Sequence, residues 1–206
     1  MPITYPLSLP NTVDYRDARM TARTVVGVTR SPFTGAQQVQ KHQGQWWEFE
    51  GSLITMGRDK AEPWLAFILS LNGREGTFLL GDPHGVAPQG SAGGSPVVKG
   101  ANQTGGTLVT DGWTASQTGI LKAGDYIQLG SSSSARLHKL LSDADSNSSG
   151  EATLEIYPEI KTAHTDNSSV ITANACGVFK LATNEMPFSL MQARTYGISF
   201  AAVGVV

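Results

Sequence analysis

Four histidines, His42, His84, His138 and His164, are the first residues with which this 206-residue chain could do acid–base or metal chemistry. No two stand at H-x-x-x-H or H-E-x-x-H spacing, so no helix face offers a paired metal site. His84 lies in Gly-Asp-Pro-His-Gly, two residues after Asp82; Asp-Pro-x-Gly is turn chemistry before it is a carboxylate–imidazole pair. His138 stands among apolar residues in Ala-Arg-Leu-His-Lys-Leu-Leu, the setting of a packed or edge-strand histidine. Glu48 and Glu50 are two apart on a strand and so share a face. Nothing beside them supports acid–base work, and they read as a solvated strand face. Ser142–Glu151 places Asp143, Asp145, Asn147 and Glu151 at i, i+2, i+4 and i+8. A helix–loop–helix calcium loop needs Gly at its sixth position and Glu at its twelfth. Here, counting from Asp143, the sixth is Ser148 and the Glu is ninth, which leaves a polar hairpin. No G-x-S-x-G, G-x-G-x-x-G or P-loop occurs. Cys176, the single cysteine, has no internal disulfide partner and reads as a small buried residue. The sequence therefore assigns no catalytic, cofactor-binding or metal-ligating residue, and a non-enzyme is expected.

The elements around these residues are mostly strands. Charged residues are 16% of the chain, against a usual ~25%, and there are 23 glycines. That composition suits a β-rich protein that buries surface against partners. The net charge of −2 argues against a general nucleic-acid or anionic-membrane binder. Met1–Pro10 lacks a basic stretch followed by an apolar run, so no signal peptide is expected there. Three Asn-x-Ser/Thr sequons, at Asn102, Asn147 and Asn167, then count as composition. The longest apolar run, Trp64–Leu71, is too short to span a bilayer, and no membrane contact is expected.

Thr21–Thr29 is β-branched, a turn follows in Ser31–Gly35, and Gln45–Met56 has period two. Trp47, Phe49 and Leu53 fall on one face of that strand; Trp46, Glu48 and Glu50 fall on the other. The period then changes. Trp64, Phe67, Ile68 and Leu71 are spaced i, i+3, i+4, i+7, which predicts a helix. Pro63 is expected in its first turn, Asp59 as its cap, and Asn72-Gly73 as its stop. Strand patterns recur to the C-terminus, where Tyr196, Ile198, Phe200 and Ala202 alternate with smaller residues.

Between the strand patterns Gly76–Leu80 and Thr107–Trp113 lies a long Gly-, Pro- and Ser-rich stretch, Gly81–Gly106. Loops of this length are uncommon inside compact domains. The expected organisation is one domain from residues 1–84 with 183–206, a linker at 85–96, and an inserted all-β domain at 97–182. Proteases should then cut first between Val86 and Thr104. The expected fold class is mainly β, with one flanking helix and a small inserted barrel. Trp46, Trp47, Trp64, Trp113 and Tyr126 raise the alternative of a carbohydrate-binding module for host attachment, since small five-stranded barrels bind sugars and oligonucleotides. Residues 97–182 carry six Lys and Arg against eight Asp and Glu, which makes no groove for phosphate. No specific nucleic-acid binding is expected.

Trp46–Pro83, Leu121–Lys161 and Gly177–Val203 resemble corresponding parts of distal tail proteins of long-tailed bacteriophages. The likeness lies in overall pattern and covers most of the chain. It implies a structural virion protein of the tail tip or baseplate, made in the host cytoplasm. It also implies a tail-tube-like β-sandwich domain with an OB-like insertion. The subunits would form a homo-hexameric ring joining the tail tube protein to a tail-tip hub protein, with a channel for DNA. In such a ring the polar face of the Gln45–Met56 strand would line the channel. Glu48 and Glu50 would then face the DNA as a negative wall that keeps it from sticking.

Overall fold

The structure, a computed structural model, describes residues 3–10, 15–191 and 194–205. It is mainly β with one helix. The first sheet is antiparallel. β1 (Tyr15–Arg30) pairs with β2 (Gln37–Leu53), β2 with β13 (Thr195–Gly204), β13 with β11 (Gly177–Leu181), and β11 with β4 (Phe78–Leu80). The short β3 (Met56–Gly57) and β12 (Phe188–Leu190) pair with the first half of β13. The period-two reading of β2 is what the fold uses: Trp47, Phe49 and Leu53 are buried, Glu50 is exposed, and Trp46 and Glu48 are half-buried.

Helix α1 (Arg58–Ser70) lies on the apolar face of this sheet. Trp64, Phe67, Ile68 and Leu71 are all buried, as their spacing requires. Their rings meet those of the strands: Trp64 stacks 6.1 Å from Phe200, and Phe67 meets Phe78 edge-on at 5.6 Å. The helix stops where Asn72 and Gly73 both take positive φ, 48° and 65°. Its start differs from expectation. The cap is Gly57, with extended backbone and no side-chain hydrogen bond. Asp59 lies inside the first turn, where a carboxylate complements the helix dipole. Pro63 falls in the second turn. The N-terminal boundary moves upstream because β3 runs directly into the helix.

The second sheet has order β10–β7–β8–β9–β6–β5. Its strands are β5 (Gly94–Val98), β6 (Gly105–Trp113), β7 (Tyr126–Leu129), β8 (Arg136–Leu140), β9 (Ala152–Ile160) and β10 (Val170–Ile171). The two ends approach each other. Val97 bridges to Ser169, the Val98 N–H donates to the Ser168 carbonyl at 2.8 Å, and the Asn167 N–H donates to the Val98 carbonyl at 2.9 Å. The sheet is thus a nearly closed barrel, filled by side chains such as Leu108, Ile127, Leu129 and Leu154. The chain leaves the first sheet after Leu80 and re-enters it at Gly177, in β11, ahead of Thr183. Val178 and Phe179 explain this membership: β11 is the strand between β4 and β13, and Phe179 packs 6.5 Å from Phe78 in the helix-covered core.

The Gly- and Pro-rich stretch is tied to the barrel rather than loose. The buried Asp125 carboxylate accepts the N–H groups of Gln89 (2.7 Å), Gly90 (3.1 Å) and Lys122 (2.8 Å). Ser91 and Ala92 donate to the carbonyls of Gly119 and Ile120, and Asn174 donates to that of Val86. Glycine at 90 is required by this approach: a Cβ there would lie 2.4 Å from the Ile120 oxygen. A hydrogen-bonded strap is a poor protease substrate, so the expectation of first cleavage at 86–104 gives way to the exposed turn Pro32–Gly35. None of the described helices is long and apolar enough to cross a membrane.

Candidate assembly surface

The most distinctive surface is the hairpin of β1 and β2. β13 covers β2 only from Glu48 to Ser52, so from about Ala22 to Trp46 the two strands run on together as an arm. At 16 residues β1 is about 50 Å long at ~3.3 Å per residue. Long two-stranded ribbons are marginal alone. Here the root of the arm is braced by the barrel. The Trp47 indole N–H donates to the Leu137 carbonyl (3.1 Å), and the Tyr157 hydroxyl donates to the Arg23 carbonyl (2.6 Å). The Glu159 N–H donates to the Gln45 side chain (2.8 Å), and Lys41 pairs with Glu159.

Beyond this brace the arm is bare. Val28 and Val39 face each other across the strands, 60% and 62% exposed, with Val26 and Lys41 the next pair on that face. At the tip the Ser31 hydroxyl accepts the Phe33 and Thr34 N–H groups, and Gly35 has φ 71°. This ordered turn leaves Phe33 95% exposed. Between Ala22 and Trp47 the chain carries Arg23, Arg30 and Lys41 and no carboxylate. The remainder of the molecule is correspondingly more acidic than its net −2. The edges differ too. On the β4 side, Leu7 exchanges hydrogen bonds with Thr77 and Leu79, which covers that edge. Among the described residues nothing pairs with the outer edge of β1. An open edge of this length with apolar side chains is a template for another chain.

Glu48 and Glu50 lie on the sheet face opposite the helix. Each has basic company. Glu50 stands directly across from Arg19. The Arg23 Nε donates to Glu48 Oε2 at 2.8 Å and the Trp46 indole to Oε1 at 3.1 Å. Those hydrogen bonds, the Arg23 one first, hold the Glu48 carboxyl below its ordinary range. The face is charge-mixed, so the two carboxylates do not by themselves make a negative wall. The register of β1 against β2 supplies the arginines, which β2's own sequence does not reveal.

The other candidate residues take structural parts. The His84 N–H donates to Asp82 Oδ1, closing an Asx turn. Asp143 holds Lys122 and the Ala123 N–H, Asp145 the Gly119 N–H, and Glu151 pairs with Lys99. Among the described residues no group of three or more His, Cys, Asp or Glu could hold a metal ion. The Cys176 thiol donates to Gln128 Oε1 at 3.2 Å, and burial raises its pKa. Trp47, Trp64, Trp113 and Tyr126 are buried, which leaves Trp46, half-buried, as the one member of that aromatic set near solvent. Stacking needs an exposed ring face.

His138 is a core residue at the junction of the two sheets. Its Nδ1 donates to the Pro158 carbonyl at 2.7 Å, and its Nε2 is buried without a partner. The ring is therefore neutral. Burial, first, pushes its pKa down to about 4; the Pro158 hydrogen bond opposes this, and His164 and Arg136 add to it. The unfolded chain then takes up this proton first, at a pKa of ~6.5. The resulting stability is fully present above that value and is lost as the pH falls towards 4. At ~1.4 kcal/mol per pKa unit the loss is roughly 3 kcal/mol. In chemical denaturation, His138→Gln should flatten the decline between about pH 7 and about pH 4.5 relative to the native chain. Equal slopes for the two proteins would contradict a buried neutral histidine. No family model matches this chain, and no curated protein matches it.

Proposed function

We propose that the chain is a structural subunit that assembles with copies of itself, through the β1–β2 arm, into the hexameric ring of a phage tail tip. The observation that carries the reading is the arm. It is open-edged, basic and apolar, and its root is braced by the second sheet. A second copy is the occupant that fits. Its more acidic body complements the arm's Arg30, its own strands can extend the open edge, and its surface can take Phe33 and the Val28–Val39 pair out of water. The resemblance to distal tail proteins adds the ring, the adjoining tail tube and hub proteins, and placement in the virion. On this reading the first sheet with α1 is the tail-tube-like sandwich and the near-closed barrel is the OB-like insertion. The mixed-charge face bearing Arg19, Glu48 and Glu50 lines the channel, where near-neutrality keeps DNA from binding the wall through counterion release.

Sedimentation at high protein concentration tests this. The native chain should report six times its 21.8 kDa mass, and electron micrographs should show six-fold rings. A variant in which Thr24 and Gln45, which are paired in register, are joined by Asn-Gly should fold and stay monomeric. Monomer at every concentration for the native chain overturns self-assembly. A full ring from the shortened variant overturns the role of the arm.

A further inference from the structure

At one end of the barrel the turn after β7 and the loop between β9 and β10 enclose an open pocket of about 560 Å³. Its lining holds Arg136, His164 and a run of hydroxyls, among them Ser131, Ser134, Thr165 and Ser168, and it contains no carboxylate. Arg136 is half-buried. Its Nη1 donates to the carbonyls of Ser133 (3.2 Å) and Ala135 (3.0 Å), and none of the ion pairs among the described residues includes it. A guanidinium taken partly out of water without a counter-charge is costly, and its fork of donors suits a tetrahedral oxyanion. Burial pulls Arg136 below its ordinary pKa; burial and then Arg136 do the same to His164. Both shifts have the sign expected of cationic groups lacking an anion. Arg136 and His164 also line the adjoining cavity between the two sheets, so the pocket runs inward towards Lys161.

We propose that this pocket binds an oxyanion, phosphate or sulfate, free or carried on a sugar, with Arg136 as the charged fork, His164 as a further N–H donor and the Ser and Thr hydroxyls completing the shell. The site is independent of ring assembly. Its chemistry also explains an apparent conflict with the acid-rich composition of the barrel: the acids are spent elsewhere, on Lys99, Lys122 and backbone N–H groups, and are absent from this rim.

Calorimetric titration of the full chain with sodium sulfate, glucose 6-phosphate and glucose tests the proposal. Sulfate should bind with a dissociation constant in the millimolar range or below, and glucose should not bind. Glucose 6-phosphate at least about tenfold tighter than sulfate identifies a sugar-borne group, and equal affinities identify the free ion. Arg136→Gln should weaken sulfate by about tenfold or more, while Lys99→Gln, whose ammonium pairs with Glu151 and does not line the pocket, should leave it unchanged. Sulfate keeps its charge as the pH falls from about 8 to about 5.5, and a bound dianion favours the protonated form of His164, so binding should tighten about threefold or more. The titratable groups that share the adjoining cavity's lining with His164 are Arg136, His138, Lys161 and Glu159, whose carboxylate is paired with Lys41. His164→Gln should abolish the pH effect, and it decides the matter if Arg136→Gln fails to fold. No sulfate binding at about 10 mM, glucose binding as tightly as its phosphate, or an equal loss in Lys99→Gln would overturn the site.

Discussion

Replacing Asp125 with alanine lowers the unfolding free energy by about 3–5 kcal/mol and makes Val86–Gly93 the first site of proteolysis. The carboxylate is 3% exposed and accepts three backbone N–H groups, two of them from the strap. Hydrogen bonds to a carboxylate contribute roughly 1.5–3 kcal/mol each. Their sum is not reached, because Gln89 is exposed and water can satisfy its N–H once the acid is gone. Gly90 and Lys122 are more enclosed, and their N–H groups lose a partner with less access to water. Asp125→Asn keeps an acceptor towards one side and should fall between the native and alanine proteins. The comparison of cleavage sites separates this account from general weakening. A variant that loses stability but is still cut first at Pro32–Gly35 would show that the strap does not depend on Asp125.

The same strap marks where sequence reading met its limit. Gly81–Gly106 has the composition of a linker, and composition reports what a segment can bury on its own. It does not report a buried acceptor thirty-five residues downstream. Gly-Asp-Tyr at 124–126 reads locally as a turn entering a strand, and nothing in it announces that the Asp points back at the strap. Patterns that depend on one element were legible. The helix face of Trp64, Phe67, Ile68 and Leu71 follows from a 3.6-residue period, and the buried set Trp47, Phe49 and Leu53 from a period of two. β11 was harder. Gly-Val-Phe-Lys-Leu is a strand in any context, but its choice of sheet is set by partners far along the chain, 101 residues upstream in the pair Phe179↔Phe78 and 23 downstream in the pair Lys180↔Val203. The arm was legible as two strands and a turn, yet its bareness was not. Thr21–Thr29 has the β-branched composition of an ordinary strand. Its solvent exposure follows from β13 ending its pairing at Glu48. The Arg136–His164 pocket is likewise a product of closure, because twenty-eight residues and a whole hairpin separate the two side chains.

Phe67→Ala should cost about 3–5 kcal/mol in chemical denaturation, and Leu69→Ala should cost less than about 0.5. The two residues are neighbours on one helix and differ in which way they face. Phe67 is 8% exposed and meets Trp64 edge-on at 5.7 Å as well as Phe78, whereas Leu69 is 73% exposed. Truncating Phe67 removes the transfer free energy of a ring and leaves a void between two rigid aromatics. Trp64 is pinned from its other side by Phe200, and Phe78 by Phe179 and Phe200, so neither can swing in to fill that void. The cost should therefore fall at the upper end of the range. Phe67→Leu, which keeps most of the volume, should recover more than half of it. A loss below about 1 kcal/mol for Phe67→Ala would mean that the helix does not cover the sheet. The face formed by Phe49, Phe78, Phe179 and Phe200 would then have to be buried by something else, and the arm would no longer be the surface most in need of a partner.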